Sequence, residues 1–201
     1  MTDNPFPSSE DKLFATLDEW WSTACLNWFQ DGWSVYADGY KNSADVLVDY
    51  AYSHGIRQDT FVYPIVFLYR QYLELDLKDL IRKCLHLQSK PESFPLHHRL
   101  PDLWREARKL IDGIYPDIGT EELNQVGRFV LEFASLDPIS MAFRYPEDRQ
   151  GGPSLPGIRH LNIQTLREVM DKIHNLLAAI GEQVHLHMEI QSEMLRDLPE
   201  G

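Results

Sequence analysis

Two residues of opposite charge stand one helical turn apart in YRQYLELDLKDL, residues 69–80: Arg70 and Glu74. Such a pair either fixes the register of packed helices or holds a guanidinium ready for a negative charge that develops on a substrate. Two further stretches carry groups of the same kind. His97 and His98 in HHRLPDLW precede an apolar segment, where a histidine either caps a helix or serves as a proton acceptor. Arg144 in FRYPEDRQGG stands between Phe143 and Tyr145 and is either a solvated loop arginine or a third polar group for the same spot.

Helical geometry places the first pair inside an apolar face. Stepping ~100° per residue from Arg70, the residues Tyr69, Leu80, Leu73, Cys84, Val66 and Leu77 fall between roughly 260° and 340°. Ile81, Phe67 and Leu85 extend that arc to about 60°. Arg70 and Glu74 lie within it, Lys78 marks its edge, and Gln71, Asp76, Asp79, Arg82 and Lys83 face the other way. Burying either charge alone costs several kcal/mol, so the two must be paired with each other or with groups from another helix.

The bulk composition bounds the rest. With 201 residues and 43% hydrophobic content, the chain can build a core of one domain, or of one domain with an appended element. A net charge of −12 excludes a broad basic face for nucleic acid and leaves room only for a local contact. The only cysteines, Cys25 and Cys84, form no CxxC or zinc-type cluster, which fits a reducing compartment without disulfides or metal. The start, MTDNPFPSSEDK, lacks the pattern of a signal peptide, and no window approaches a membrane span; a soluble cytoplasmic chain is expected.

Apolar spacing predicts helices throughout. One is expected from about residue 10 to 29, capped near Ser8, Ser9 and Glu10, and Gly32 and Gly39 are read as interrupting the segment after it. A second runs from Asn42 to about Gly55. A third opens at Pro64 as a first-turn proline and reaches about residue 88, with a turn at KPESFP after it. Pro101 opens the next, residues 121–136 form another that Asp137-Pro138 closes, and the last spans about 163–197. A loop from about 138 to 162 separates these two. No alternating strand pattern competes. The expected fold is all-α, an antiparallel up-and-down bundle of about six helices. An aromatic-rich element at 1–41 would pack on the bundle of 42–201, with the distal end of the last helix as a dimer arm.

FLYRQYLELDLKDLI with HHRLPDLWREARKLI after it resembles the HEPN superfamily, in which an E-x-x-x-K helix precedes an H-x-L-x-x-L helix start. Here these are Glu74 with Lys78, and His98 with Leu100 and Leu103. YPIVFLYR and FRYPEDRQGG are similar to stretches of bacterial HEPN-like proteins, and the likeness spans about residues 42 to 180. It implies a bundle that dimerises, in a superfamily holding metal-independent RNases of toxin-antitoxin and phage-defence systems beside non-catalytic members. The RNase signature is an arginine and a histidine separated by four to six residues. At Arg144 the chain departs from it, because Arg149, Gln150 and Gly151 occupy the histidine positions. Arg167 and His174 do have that spacing, one that chance readily supplies in a chain with 8 histidines.

An RNase site of this kind would use His98 to deprotonate a ribose 2′-hydroxyl and Arg70 and Arg144 to stabilise the phosphorane, with Glu74, Lys78 and Tyr145 as the supporting polar network and no metal or other cofactor. His185 and His187 point ~200° apart on a helix and cannot share an ion unaided. The rival expectation is a non-catalytic interaction module. Trp33, Phe29 and Tyr36 would give it an exposed aromatic patch, and its acidity would suit a basic protein partner.

Overall fold

A computed structural model of the chain describes residues 6–14, 20–29, 32–91 and 97–196. The chain divides into two compact units, Met1–Gly32 and Trp33–Gly201. In the described part of the first unit the expected helix over 10–29 is replaced by turns and one 3-10 turn, Trp20–Ser22. The start expected at Ser8 turns back on itself instead. The Ser8 amide donates to Asp11 Oδ2 at 2.6 Å, the Glu10 amide to Ser8 Oγ at 3.3 Å, and the Asp11 amide to the Ser8 carbonyl. Short polar side chains thus bind the amides that a helix would need. The centre of that expected helix, residues 15–19, lies outside the described residues.

Among the described residues the second unit is all-helical, with five α-helices, the number expected for this part of the chain. Its only strand-like pairing among the described residues is an isolated bridge, Glu147 to Pro153. The first helix, α1 (Gly32–His54), starts ten residues before the expected Asn42. Its buried stripe of Ala37, Lys41, Ala44, Val48 and Ala51 runs back past Gly39, which sits on the exposed face and breaks nothing. Gly55, at φ 60°, ends it as a left-handed residue just past the helix.

The next helix, α2 (Gln58–Leu87), also begins early. Arg57 adopts φ 67° and its carbonyl accepts the Phe61 amide, so Pro64 lies inside the helix, not in its first turn. The hydrogen bond that the proline removes is one to Thr60, on an exposed turn where water reaches the carbonyl. The short helices α3 (Leu100–Ile114) and α4 (Thr120–Leu136) match their expected limits closely, as does α5 (Ile163–Arg196). At the start of α5, Asn162 Oδ1 accepts the amides of Gln164 and Thr165 at 2.9 and 3.0 Å, a side-chain N-cap. The turn expected at KPESFP falls mostly on residues 92–96, outside the described set.

Helix α2 packs against α3 and α5, and α3 packs against α4. Tyr69, Leu73 and Leu77 of α2 are fully buried with Leu100, Leu103 and Ile111 of α3 and Leu123 of α4, while Met170, Ile173, Leu177 and Ile180 of α5 close the other side. No helix among the described residues is long and apolar enough to cross a membrane.

Candidate functional site: a buried ion network and the loop it anchors

Arg70 is 0% exposed, the largest fully buried side chain of the described residues. Each of its three guanidinium nitrogens meets a protein oxygen. Nη1 donates to Glu74 Oε2 at 3.2 Å, Nη2 to the His98 carbonyl at 2.7 Å, and Nε to the Asp137 carbonyl at 3.3 Å, with Asp137 Oδ2 3.6 Å away. A planar fork of donors suits this convergence of three chain segments better than an ammonium would. Helix α2, the entry to α3 and the end of α4 are tied together at one buried charge.

Glu74 is equally engaged. Its Oε1 accepts Lys78 Nζ at 2.9 Å and His98 Nδ1 at 2.6 Å, the latter in the tautomer that places the proton on Nδ1. Burial pushes the Glu74 carboxyl up, but the hydrogen bonds from Lys78 and His98 outweigh it, so the group is held below the ordinary carboxylate range. The imidazole of His98 is 65% exposed although its Nδ1 is bound at the buried carboxylate. The E-x-x-x-K and H-x-L-x-x-L stretches therefore meet, with Leu100 and Leu103 buried behind the contact.

Asp137 couples this network to the loop of residues 137–162. Its Oδ1 accepts the amides of Met141 and Ala142 at 2.6 and 3.0 Å, which turns the chain sharply after α4 and puts Phe143 into the core. Arg144 does not join Arg70. Its guanidinium lies 5.6 Å from the ring of Phe67 and 5.7 Å from that of Tyr145, and the residue is exposed. Tyr145, expected within the polar network, contacts Arg144 instead and is half-exposed. Of the sequence-derived candidates, Arg70, Glu74, Lys78 and His98 come together, while Arg144 and Tyr145 line a separate surface groove between the loop and Tyr63 of α2.

A second polar cluster was not read from the sequence. Lys41 of α1, only 7% exposed, donates to Asp45 at 2.9 Å and to Asp171 of α5 at 2.6 Å, and Tyr69 donates to the other oxygen of Asp45 at 2.6 Å. Arg167 adds a bond to Asp49 and stands 3.8 Å from both Asp45 and Asp171. Tyr72 donates to Asp76 at 3.1 Å, and His174 Nδ1 lies 3.0 Å from the same hydroxyl. Burial, with Asp79 and Asp38 nearby, pushes Asp76 up to about 6 despite the Tyr72 hydrogen bond and Lys83. The signal was the buried position of Lys41 on the stripe of α1, hidden by starting that helix at Asn42. His185 and His187 diverge as their spacing predicts, toward Glu189 at 3.4 Å and Tyr115 at 2.8 Å.

Comparison of the chain with family models, with curated proteins and with solved structures finds no match. A buried, fully bonded Arg70 cannot reach a phosphate, and Arg167, surrounded by Asp45, Asp49 and Asp171, has its charge neutralised by carboxylates. The network is built to hold segments together.

Proposed function

We propose that this chain is a HEPN-like helical protein that acts as a non-catalytic interaction module, its working surface being the groove between α2 and the loop. The observation that carries this reading is the full burial of Arg70 with each guanidinium nitrogen bonded to Glu74, His98 or Asp137, which keeps the expected catalytic arginine away from a substrate. The meeting of Glu74, Lys78 and His98 supports the HEPN-like assignment, with those motif residues acting as a structural lock. A homodimer in the cytoplasm belongs to the same reading. It is supported by the exposed apolar residues Leu186, Ile190 and Met194, spaced along one face of distal α5.

The metal-independent RNase reading retains one observation in its favour: the exposed His98 imidazole is oriented by a buried carboxylate, as a general base would be. Incubating the purified chain with labelled single-stranded and hairpin RNA decides between the two. Under the proposal the RNA stays intact, and His98→Ala and Arg144→Ala leave that result unchanged. RNA cleavage that disappears in His98→Ala would establish the rival.

A further inference from the structure

The groove consists of two hollows of about 400 and 340 Å³ that share Tyr63, Phe143, Leu155 and Ile158 as a common floor. Arg144 and Tyr145 line one hollow, while Arg159 and His160 line the other together with Asp59, the one carboxylate in either lining. Among the described residues no carboxylate lies within ion-pair distance of Arg144 or Arg159. Arg57, Arg128 and Arg149 share this lack, while Arg70, Arg82, Arg99, Arg105, Arg108 and Arg167 each have a carboxylate partner. In a chain of net charge −12, two lining guanidinium groups against the one lining carboxylate, Asp59, give the groove a small positive excess beside an apolar floor.

The loop that carries them is braced before any ligand arrives. Asp137 fixes its entry through the Met141 and Ala142 amides. Farther along, Asp148 Oδ1 accepts the Gln150 and Gly152 amides at 2.8 and 2.9 Å, and the Ser154 amide donates to the Pro146 carbonyl at 3.1 Å. A wall organised in advance loses less ordering entropy on binding. The Arg144 guanidinium also has two aromatic neighbours, Phe67 and Tyr145, within cation–π range.

We propose that this groove binds an acidic peptide segment of a partner protein. One carboxylate pairs with Arg144 and a second with Arg159, and apolar side chains between them rest on Phe143, Leu155 and Ile158. The proposal rests on the interaction-module reading and names the chemistry of the partner.

Fluorescence anisotropy of the full chain with a labelled Ser-Gly-Asp-Leu-Phe-Glu-Gly-Ser peptide tests it. Saturable binding is expected, weakened about fivefold or more by amide replacements in the peptide and by Arg144→Gln or Arg159→Gln separately. Raising salt from about 50 to about 300 mM weakens it too. Arg128→Gln, on the exposed face of α4, keeps the affinity, and all variants keep the wild-type Tm. Equal affinity for the amide peptide, indifference to both groove variants, or tighter binding of a labelled oligouridylate overturns the inference. Intact RNA without peptide binding removes only this assignment, whereas RNA cleavage removes the function proposed above.

Discussion

Arg70 Nη2 donates a 2.7 Å hydrogen bond to the backbone carbonyl of His98, 28 positions along the chain, while the His98 side chain binds Glu74 from the other direction. Backbone and side chain of one residue thus clasp both members of the buried pair. The entry of α3 is fixed against α2 at two points.

Removing the arginine should be severe. Arg70→Met leaves Glu74, Asp137 and the His98 carbonyl without their shared donor, and a loss of about 3–5 kcal/mol is expected in urea denaturation. Adding Glu74→Leu removes one of the stranded charges and should restore at least about 1 kcal/mol. A double variant less stable than Arg70→Met would show that Lys78 and His98 depend on Glu74 more than Arg70 does.

The depressed Glu74 carboxyl fixes the sign of one pH effect. A carboxylate whose folded pKa lies below its ordinary value of 4.5 contributes stability above that value and loses it as pH falls through the folded pKa. Glu74→Gln should therefore be clearly less stable than wild type at pH 7, and the gap should narrow below about pH 4. Thermal denaturation across that range measures it, and a gap that widens toward low pH would contradict the assignment.

Asp76 predicts the opposite trend. With its carboxyl pushed up to about 6 from 3.8, the folded state binds the proton more tightly, so ionisation near neutral pH opposes folding. Asp76→Asn keeps an acceptor for Tyr72 and should raise stability by about 1–3 kcal/mol at pH 7.5, the gain disappearing toward pH 4. A constant difference across pH would assign it to packing.

One substitution should have opposite signs at two glycines. A Cβ on Gly127 of α4 would meet Trp104 Nε1 at 2.6 Å, and that indole, carried on α3, is buried, so Gly127→Ala should cost about 1–3 kcal/mol despite the better helix former. At Gly39 nothing lies within 4 Å, and Gly39→Ala should stabilise α1 by about 0.5–1 kcal/mol. Paired Tm measurements check both.

Much of the second unit was readable from punctuation and periodicity. Pro101, Asp137-Pro138 and the stripes of α3 to α5 mark their elements because each apolar face is buried where it is formed. The inward direction of Arg70 and Glu74 came from ~100° stepping alone. Gly39 and Pro64 misled for a common reason: both lie on exposed faces, where a missing side chain or a lost hydrogen bond costs little. Asp137 read as a helix terminator, and nothing local tells that its Oδ1 accepts loop amides while its backbone carbonyl accepts the Nε of an arginine 67 positions away. Nor does spacing reveal that Arg144 settles on Phe67, one turn before Arg70 on α2, instead of beside Arg70 itself.

Along α5 the fully covered side chains recur at Met170, Ile173, Leu177, Ile180 and Val184, yet the helix continues to Arg196. His187 still meets Tyr115 and Met188 still packs on the core, so at ~1.5 Å per residue the eight residues after them overhang the folded body by about 12 Å. Trimming that overhang should leave the body's thermal unfolding nearly intact, so whatever retains those turns is not the integrity of the monomer.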